Sequence, residues 1–314
     1  MNEQFKKDIL QGLQNPTQKK LPSRYFYDKK GDALFQQIMA LPEYYLTRAE
    51  MEIFETKTAE LIESLGFDNQ NQFDVIELGA GDGTKTIHLL KGLTNRNIDF
   101  QYLPVDFSLN ALQGLEKYLK QEIPNLIIKP NNADYFKALE NIKKDSRIKI
   151  VFFLGSSIGN LDDEMATEFI YQLGSHLSKG DKILLGVDLK KSKDVILPAY
   201  NDSQGITAEF NLNLLDRINN ELGANFDRSK FVHNPVYDEE VGMAISYLKS
   251  LCDQSIVLDG KIIKFTKDEL IHTEISRKYD DTIMRKILSK TDMRWEYKVT
   301  DSKKFFANYI LERK

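Results

Sequence analysis

The stretch Glu77-Leu-Gly79-Ala-Gly81-Asp-Gly83-Thr-Lys-Thr86 concentrates more chemistry in its spacing than any other part of the chain. Glycines at alternate positions let a backbone turn tightly and come close to a ligand, ahead of a helix N-terminus. Two carboxylates follow at intervals that a strand–helix–strand chain would bring to the same end of a sheet: Asp106, and Asp134 in Asn132-Ala-Asp134-Tyr135. The first suits ribose hydroxyls. The second suits an adenine amino group, with the Tyr135 ring packed on the base. Taken singly, each reads more readily as a helix N-cap. Further on, Phe153-Leu-Gly155-Ser-Ser-Ile-Gly159-Asn160-Leu161 carries an uncharged amide that both donates and accepts. Asn160 could hold an amine without a full counter-charge, or simply cap the helix that begins near Asp162.

The elements that would position these groups are legible in the apolar pattern. Short apolar runs at 74–78, 102–105, 126–128, 148–154 and 183–187 alternate with amphipathic stretches such as 164–177. That rhythm predicts a parallel sheet with helices on both faces, whose strand ends carry ligand-binding loops. Before it, apolar residues recur at helical spacing through Leu34, Phe35, Ile38 and Met39. Thr47-Arg-Ala-Glu50 then reads as a capping box opening one helix that runs to Gly66. After Asp188 the rhythm breaks. Helices are expected over 195–200 and 208–222, a strand over 243–248, and a hairpin over 256–263 turning at Asp259-Gly260. The chain closes with a helix over 280–288 and strands over 295–299 and 306–311. Two domains are therefore expected: 56–190 plus 279–314 as the doubly wound sheet, and 1–55 plus 191–278 as a discontinuous second unit. A chain of 314 residues is long enough for two cores.

Composition narrows the function classes. Lys and Arg total 43 against 47 Asp and Glu, with no basic run, so nucleic acid is not an expected partner. A single cysteine and four histidines without HExxH spacing leave neither a disulfide framework nor a basis for metal chemistry. No stretch approaches the ~18 apolar residues of a membrane span, and the N-terminus is too polar for a signal sequence. A soluble cytoplasmic protein is expected, with no membrane partner and a monomer as the simplest assembly.

The glycine loop has Thr84 where a dinucleotide fingerprint needs glycine, which disfavours an NAD oxidoreductase. GxGxG preceded by an acidic residue instead resembles the first motif of class I S-adenosylmethionine methyltransferases, and so implies their Rossmann-like α/β sheet. A more specific resemblance covers nearly the whole chain. It is carried by Leu21-Pro-Ser-Arg-Tyr-Phe-Tyr27-Asp28, Leu41-Pro-Glu-Tyr44-Tyr45-Leu-Thr-Arg-Ala-Glu50, the Asn160 stretch, Gly186-Val-Asp188-Leu189, Ala199-Tyr200-Asn-Asp202, Thr207-Ala-Glu-Phe-Asn211 and Thr273-Glu274-Ile-Ser276. These resemble the bacterial L-histidine Nα-methyltransferases of the ergothioneine pathway.

The resemblance implies that S-adenosylmethionine is the cofactor and that Gly79, Gly81, Lys85, Asp106, Asp134 and Tyr135 hold it. It implies an amino-acid substrate, L-histidine, methylated on its α-amino group up to three times. Asn160 would hold the amine, Tyr200 the carboxylate, and Glu274 and Ser276 the imidazole, with Tyr44, Tyr27 and Phe35 lining the pocket. Asn160, Tyr27 and Tyr44 would be the groups nearest the chemistry, a tyrosine hydroxyl or water taking the proton. The family's substrate domain combines an N-terminal segment with an insertion before the last strands. One position departs from the pattern: histidine-specific members place a methionine near Ser246. Another aromatic amino acid, or a small amine, therefore stays open as the substrate, and Glu274 alone reads as an ordinary strand-surface carboxylate.

Overall fold

The computed structural model describes residues 2–142 and 146–314. The chain divides into two compact units, one of Met1–Tyr45 with Lys191–Arg277 and one of Leu46–Lys190 with Lys278–Lys314. It opens with helices α1 (Asn2–Leu13), α2 (Lys29–Ala40), α3 (Leu46–Thr56) and α4 (Thr58–Leu65). There follow β1 (Gln72–Leu78), α5 (Thr86–Asn95), β2 (Asp99–Val105), α6 (Leu109–Glu122), α7 (Tyr135–Ile142), β3 (Ile148–Phe153), α8 (Asp163–Ser175) and β4 (Lys182–Asp188). Next come α9 (Lys193–Tyr200), α10 (Ile206–Leu222), β5 (Phe231–His233), β6 (Val236–Asp238), β7 (Met243–Ser250), β8 (Gln254–Leu258), β9 (Lys261–Phe265) and β10 (Leu270–Arg277). The last are α11 (Asp281–Leu288), β11 (Met293–Thr300) and β12 (Phe306–Arg313).

The unit containing β1 is α/β and Rossmann-like. Its six strands lie in the order β11-β12-β4-β3-β1-β2. Strands β1 to β4 are parallel to their neighbours, while β12 runs antiparallel to β4 and to β11. Helices on both faces explain why β1, β2 and β4 are buried beyond their first residues and read as near-continuous apolar runs. Strand order reverses at β1: β2 lies on one side and β3 on the other. The loops that leave β1 and β3 therefore open at the switch point, where α/β sheets bind ligands. They are 79–85 and 154–160.

Several expectations need correction here. The run 126–128 does not form a named strand. It lies along the outside of β2, joined by Lys129 N–H to Tyr102 O at 2.8 Å and Asn131 N–H to Pro104 O at 2.9 Å. Pro124 and Pro130 bracket it at positions whose backbone faces away from β2, where a proline costs no bond to that strand and blocks a further one outside it. The helix expected from 47 to 66 is two helices, α3 and α4. At their junction the Thr56 and Thr58 hydroxyls donate to the Glu52 and Phe54 carbonyls, competing with the helical ladder. The capping box is also wrong, because the Glu50 carboxylate is buried and bonds elsewhere. With it goes the boundary at 55/56. The division falls at 45/46, since α3 packs on β12, α4 and α5.

In the other unit, helices α1, α2 and α10 cover an antiparallel sheet of order β10-β7-β5, with β6 also paired to β7. Strand β7 alternates half-buried and buried residues along its length, as expected for a sheet with one covered face. Its apolar core joins Phe5 and Ile9 of α1, Leu214 and Ile218 of α10, Leu248 and Ile271. The β8–β9 hairpin turns where expected, with φ of 52° at Asp259 and 72° at Gly260. Among the described residues no helix is long and apolar enough to cross a membrane.

Candidate active site

In the sheet unit, Gly79 leaves β1 with φ of 73°, and a Cβ there would stand 3.0 Å from the Tyr135 hydroxyl. Only glycine gives both the left-handed turn and the close approach. The acidic residue before the loop, Glu77, is buried, accepting from Thr86 Oγ1 at 2.8 Å and from the Tyr102 hydroxyl at 2.5 Å. It thereby ties β1 to β2 and to the first turn of α5. Burial pushes its carboxyl up to about 7, against the opposing pull of those two hydroxyls and of Lys85.

Asp106 accepts from the N–H of Gly81 at 3.3 Å and of Ser108 at 2.9 Å. The cap of α6 is Ser108, which accepts from Ala111 N–H, so Asp106 is not spent as a helix cap. Asp134 does cap: its Oδ1 accepts from Phe136 N–H at 3.0 Å and Lys137 N–H at 3.5 Å, leaving Oδ2 for another partner. The Tyr135 ring packs on Phe107 with centroids 5.4 Å apart, and burial raises its hydroxyl to about 12, helped by Asp106 and Asp134. Phe107 is 65% exposed, a large apolar ring left open beside two carboxylates. Sequence reasoning passed over it, although an aromatic residue directly after the β2 carboxylate was the signal. Carboxylates, an exposed ring and a glycine turn in one unit make a donor and acceptor set that fits an adenosyl group carrying a charged tail.

Lys85 is the N-cap residue of α5 and its ammonium pairs with Glu50 of α3, whose carboxylate also accepts from the Gly155 N–H at 3.0 Å. Gly155 is the second residue of the loop that ends at Asn160. Ser156 follows in the left-handed region at φ of 58° and accepts from the Asp188 N–H at 2.9 Å. The Asp188 carboxylate is paired with Lys278 at 2.8 Å, both fully buried, and the Tyr279 hydroxyl donates to Ile158 O at 3.1 Å. This support fixes the 3₁₀ turn Ser157–Asn160. Asn160 itself is exposed, and the cap of α8 is Asp162, which accepts from the N–H groups of Glu164 and Met165. Capping therefore does not account for Asn160.

The other unit gathers the aromatic residues. Tyr27 meets Phe35 at 5.6 Å and Phe210 at 5.7 Å, and Phe35 meets Tyr44 at 6.3 Å. Tyr27 is 42% exposed, so crowding around its hydroxyl rather than full enclosure holds its pKa above the ordinary range, with the Glu274 carboxylate and then Tyr44 adding to it. Tyr200 donates to Ser276 Oγ at 2.7 Å. Behind it, His233 Nε2 bonds Tyr200 O at 2.9 Å, and burial lowers its pKa, favouring the neutral ring. Glu274 follows a register shift between His272 and Glu274, a bulge that re-aims the end of β10. Thr273 at the bulge donates to Asn211 Oδ1 at 2.8 Å and Ser246 O at 2.9 Å. Ser246 pairs with Glu274 across β7 and β10 and is buried.

The structure thus groups Gly79, Gly81, Lys85, Asp106, Asp134, Tyr135 and Asn160 on the loops of one unit, and Tyr27, Tyr44, Tyr200, Glu274 and Ser276 in the other. Besides Phe107, sequence reasoning missed Glu50, Phe210 and His233. Among the described residues no cluster of three or more His, Cys, Asp or Glu could hold a metal ion.

Known proteins resemble this chain along most of its length. A histidine N-alpha-methyltransferase of Mycolicibacterium smegmatis is 35% identical over 280 residues, covering 88% of this chain and 85% of that protein. One of Mycobacterium tuberculosis is 38% identical over 229 residues, covering 73% and 69%. The ergothioneine biosynthesis protein 1 of Schizosaccharomyces pombe is 28% identical over 300 residues, 93% of this chain but 39% of that longer protein. The profile of the family described as histidine-specific methyltransferase, SAM-dependent, matches residues 5–313. With its glycine turn at the switch point of a Rossmann-like sheet and this match from end to end, the chain belongs to the histidine-specific, S-adenosylmethionine-dependent methyltransferase family.

Proposed function

We propose that this N-methyltransferase acts on the α-amino group of L-histidine and carries the reaction through three transfers to N,N,N-trimethylhistidine, as a step of ergothioneine biosynthesis. The observation that carries the reading lies in the second unit. Tyr200 and Ser276 share a hydrogen bond, and Glu274, two residues before Ser276, comes near enough to Tyr27 to raise its pKa. Those are groups for a carboxylate and an imidazole, beside an aromatic lining. The histidine substrate named for the mycobacterial relatives, and the pathway named for the fission-yeast relative, support the same assignment.

In this reading Gly79, Gly81, Asp106, Asp134 and Tyr135 hold the cofactor and Lys85 meets its carboxylate. S-adenosylmethionine supplies an electrophilic methyl group when bound. The protein must then align an amine with a free lone pair. An α-amino group, with pKa ~7.7–8.0 at a chain terminus and higher in a free amino acid, is largely protonated near neutrality. Asn160 is uncharged, so it orients the nitrogen without stabilising the ammonium form, as a carboxylate would. Tyr27, with its hydroxyl held above the ordinary range, stays neutral and serves as a hydrogen-bond partner, and water carries the proton away. Tyr200 binds the substrate carboxylate; Glu274 and Ser276 bind the ring; Tyr44 and Phe35 line the pocket. Aromatic faces also tolerate the cationic product.

The test is incubation of the pure protein with S-adenosylmethionine and single amino acids, followed by mass spectrometry. Histidine is expected to gain methyl groups in up to three steps. A gain on tryptophan or tyrosine and none on histidine would remove the substrate assignment. Ser246 favours that second reading, because a small buried residue directly across from Glu274 leaves volume for a larger ring.

A further inference from the structure

Glu50 is the most completely enclosed carboxylate near the cofactor loop, and its surroundings are built around it. Its side chain is 1% exposed while that of Lys85, its partner, is 21% exposed. Oε2 accepts from Lys85 Nζ and from the Gly155 N–H, and Oε1 accepts from the Gly155 N–H at 3.2 Å and from Asn308 Nδ2 at 3.3 Å. Room for it is made in β4: a Cβ on Gly186 would stand 2.3 Å from Oε1. One carboxylate therefore touches the N-cap residue of α5, the second residue of the loop carrying Asn160, and the sheet beneath them. On the buried face of α3 Glu50 is the charged residue, set among Leu46, Ala49, Ile53 and Phe54.

We infer that Glu50 is a positioning residue that holds the Lys85 ammonium and the Gly155 turn in one frame, so that Lys85 is set to receive the cofactor's carboxylate. An ammonium has three donors, and engaging Glu50 leaves others for a ligand. A lysine side chain is long and flexible, and ordering it in advance removes that entropy loss from binding. The inference rests on reading Lys85 as a cofactor contact.

The experiment measures S-adenosylmethionine affinity by calorimetry on the full chain for wild type, Glu50→Gln, Lys85→Met and the double variant. Glu50→Gln alone is expected to weaken binding roughly tenfold, as loss of a charge-assisted hydrogen bond would. In the Lys85→Met background the same change should alter affinity less than about twofold, because the two residues act as one unit. Glu50→Asp, which restores the charge on a shorter arm, should recover part of the loss. Equal losses in both backgrounds, or unchanged or tighter binding in Glu50→Gln, would overturn the positioning role while leaving Lys85 as a cofactor contact. Wild-type affinity in Lys85→Met would overturn both. Should Glu50→Gln not fold, ¹⁵N-lysine NMR of the wild-type protein decides. The Lys85 ammonium, assigned by its loss in Lys85→Met, should be protected from exchange before and after cofactor addition. An unprotected signal, or one released when cofactor binds, would sink the inference.

Discussion

In the proposed reading the two units solve their binding problems by different means. In the sheet unit the ligand groups sit on loops leaving parallel strands, and backbone conformation does much of the work: Gly79 turns with positive φ, and Asp106 reaches the Gly81 N–H. In the other unit, side chains of residues 27, 35, 44 and 210 meet through ring contacts, and those of 200 and 276 through a hydroxyl pair. A backbone-built site should fail sharply when its geometry is touched. A side-chain-built site should retune.

The sharpest break in that contrast is Gly79→Ala. The new Cβ meets the Tyr135 hydroxyl at 3.0 Å in a left-handed conformation that costs alanine of order 1–3 kcal/mol. Affinity for S-adenosylmethionine should fall about a hundredfold, since distorting the turn also displaces Tyr135. Calorimetry measures this, with circular dichroism showing that the sheet remains. Binding within a fewfold of wild type would mean the turn does not shape the cofactor site.

The next effect is on stability, and its sign follows from Glu77. Its folded pKa is raised to about 7 by burial, above the ordinary carboxyl value of 4.5. A group bound more tightly to its proton in the folded state contributes stability below its unfolded pKa and loses it as pH rises through the folded one. Between pH ~5 and ~7 the wild type should therefore lose about 2 kcal/mol that Glu77→Gln does not. Urea unfolding of the two proteins across that range, read by probes in the sheet unit, tests it. A wild type that gains stability relative to the variant with rising pH would reverse the assignment.

The same contrast explains how much could be read in the sequence. The glycine turn, Asp106 and Asp134 were legible because strand ends in a doubly wound sheet face one way and a tight turn admits few residue types. Tyr200 and Ser276 were not, because residues 76 apart in the chain meet through one hydrogen bond that no local pattern encodes. They came from resemblance to a family. Glu50 misled for a different reason: Thr47-Arg-Ala-Glu50 has the spacing of a capping box, but the carboxylate gains more from a lysine and two N–H donors in the interior. The segment at 126–128 shows the reverse, strand-like residues that meet the edge of β2 only through isolated bridges, with flanking prolines on the outward-facing side.

On the substrate side, Glu274→Gln should retune binding without abolishing it. The amide keeps one acceptor and puts a donor in place of the other, and it loses the charge that would favour an imidazole N–H. The KM for histidine should rise roughly tenfold, with S-adenosylmethionine affinity unchanged. Steady-state kinetics with histidine and with tryptophan makes the comparison, since the neutral variant should discriminate less between the two. An equal loss on both amino acids would place Glu274 outside ring recognition.

Tyr27→Phe should have the smallest effect and bears on the chemistry most directly. The ring contacts with Phe35 and Phe210 survive the change, so the pocket keeps its shape. Crowding and the nearby Glu274 hold the Tyr27 pKa above the ordinary range, so its hydroxyl carries a proton throughout the working pH range and cannot act as a phenolate base. Losing it removes one hydrogen bond, which would slow turnover roughly fivefold. The rise of kcat/KM with pH should stay where it was, because it reports deprotonation of the substrate amine. If that limb moved or vanished in Tyr27→Phe, the hydroxyl would be taking the proton itself, and the division of labour between a neutral pocket and water would have to be redrawn.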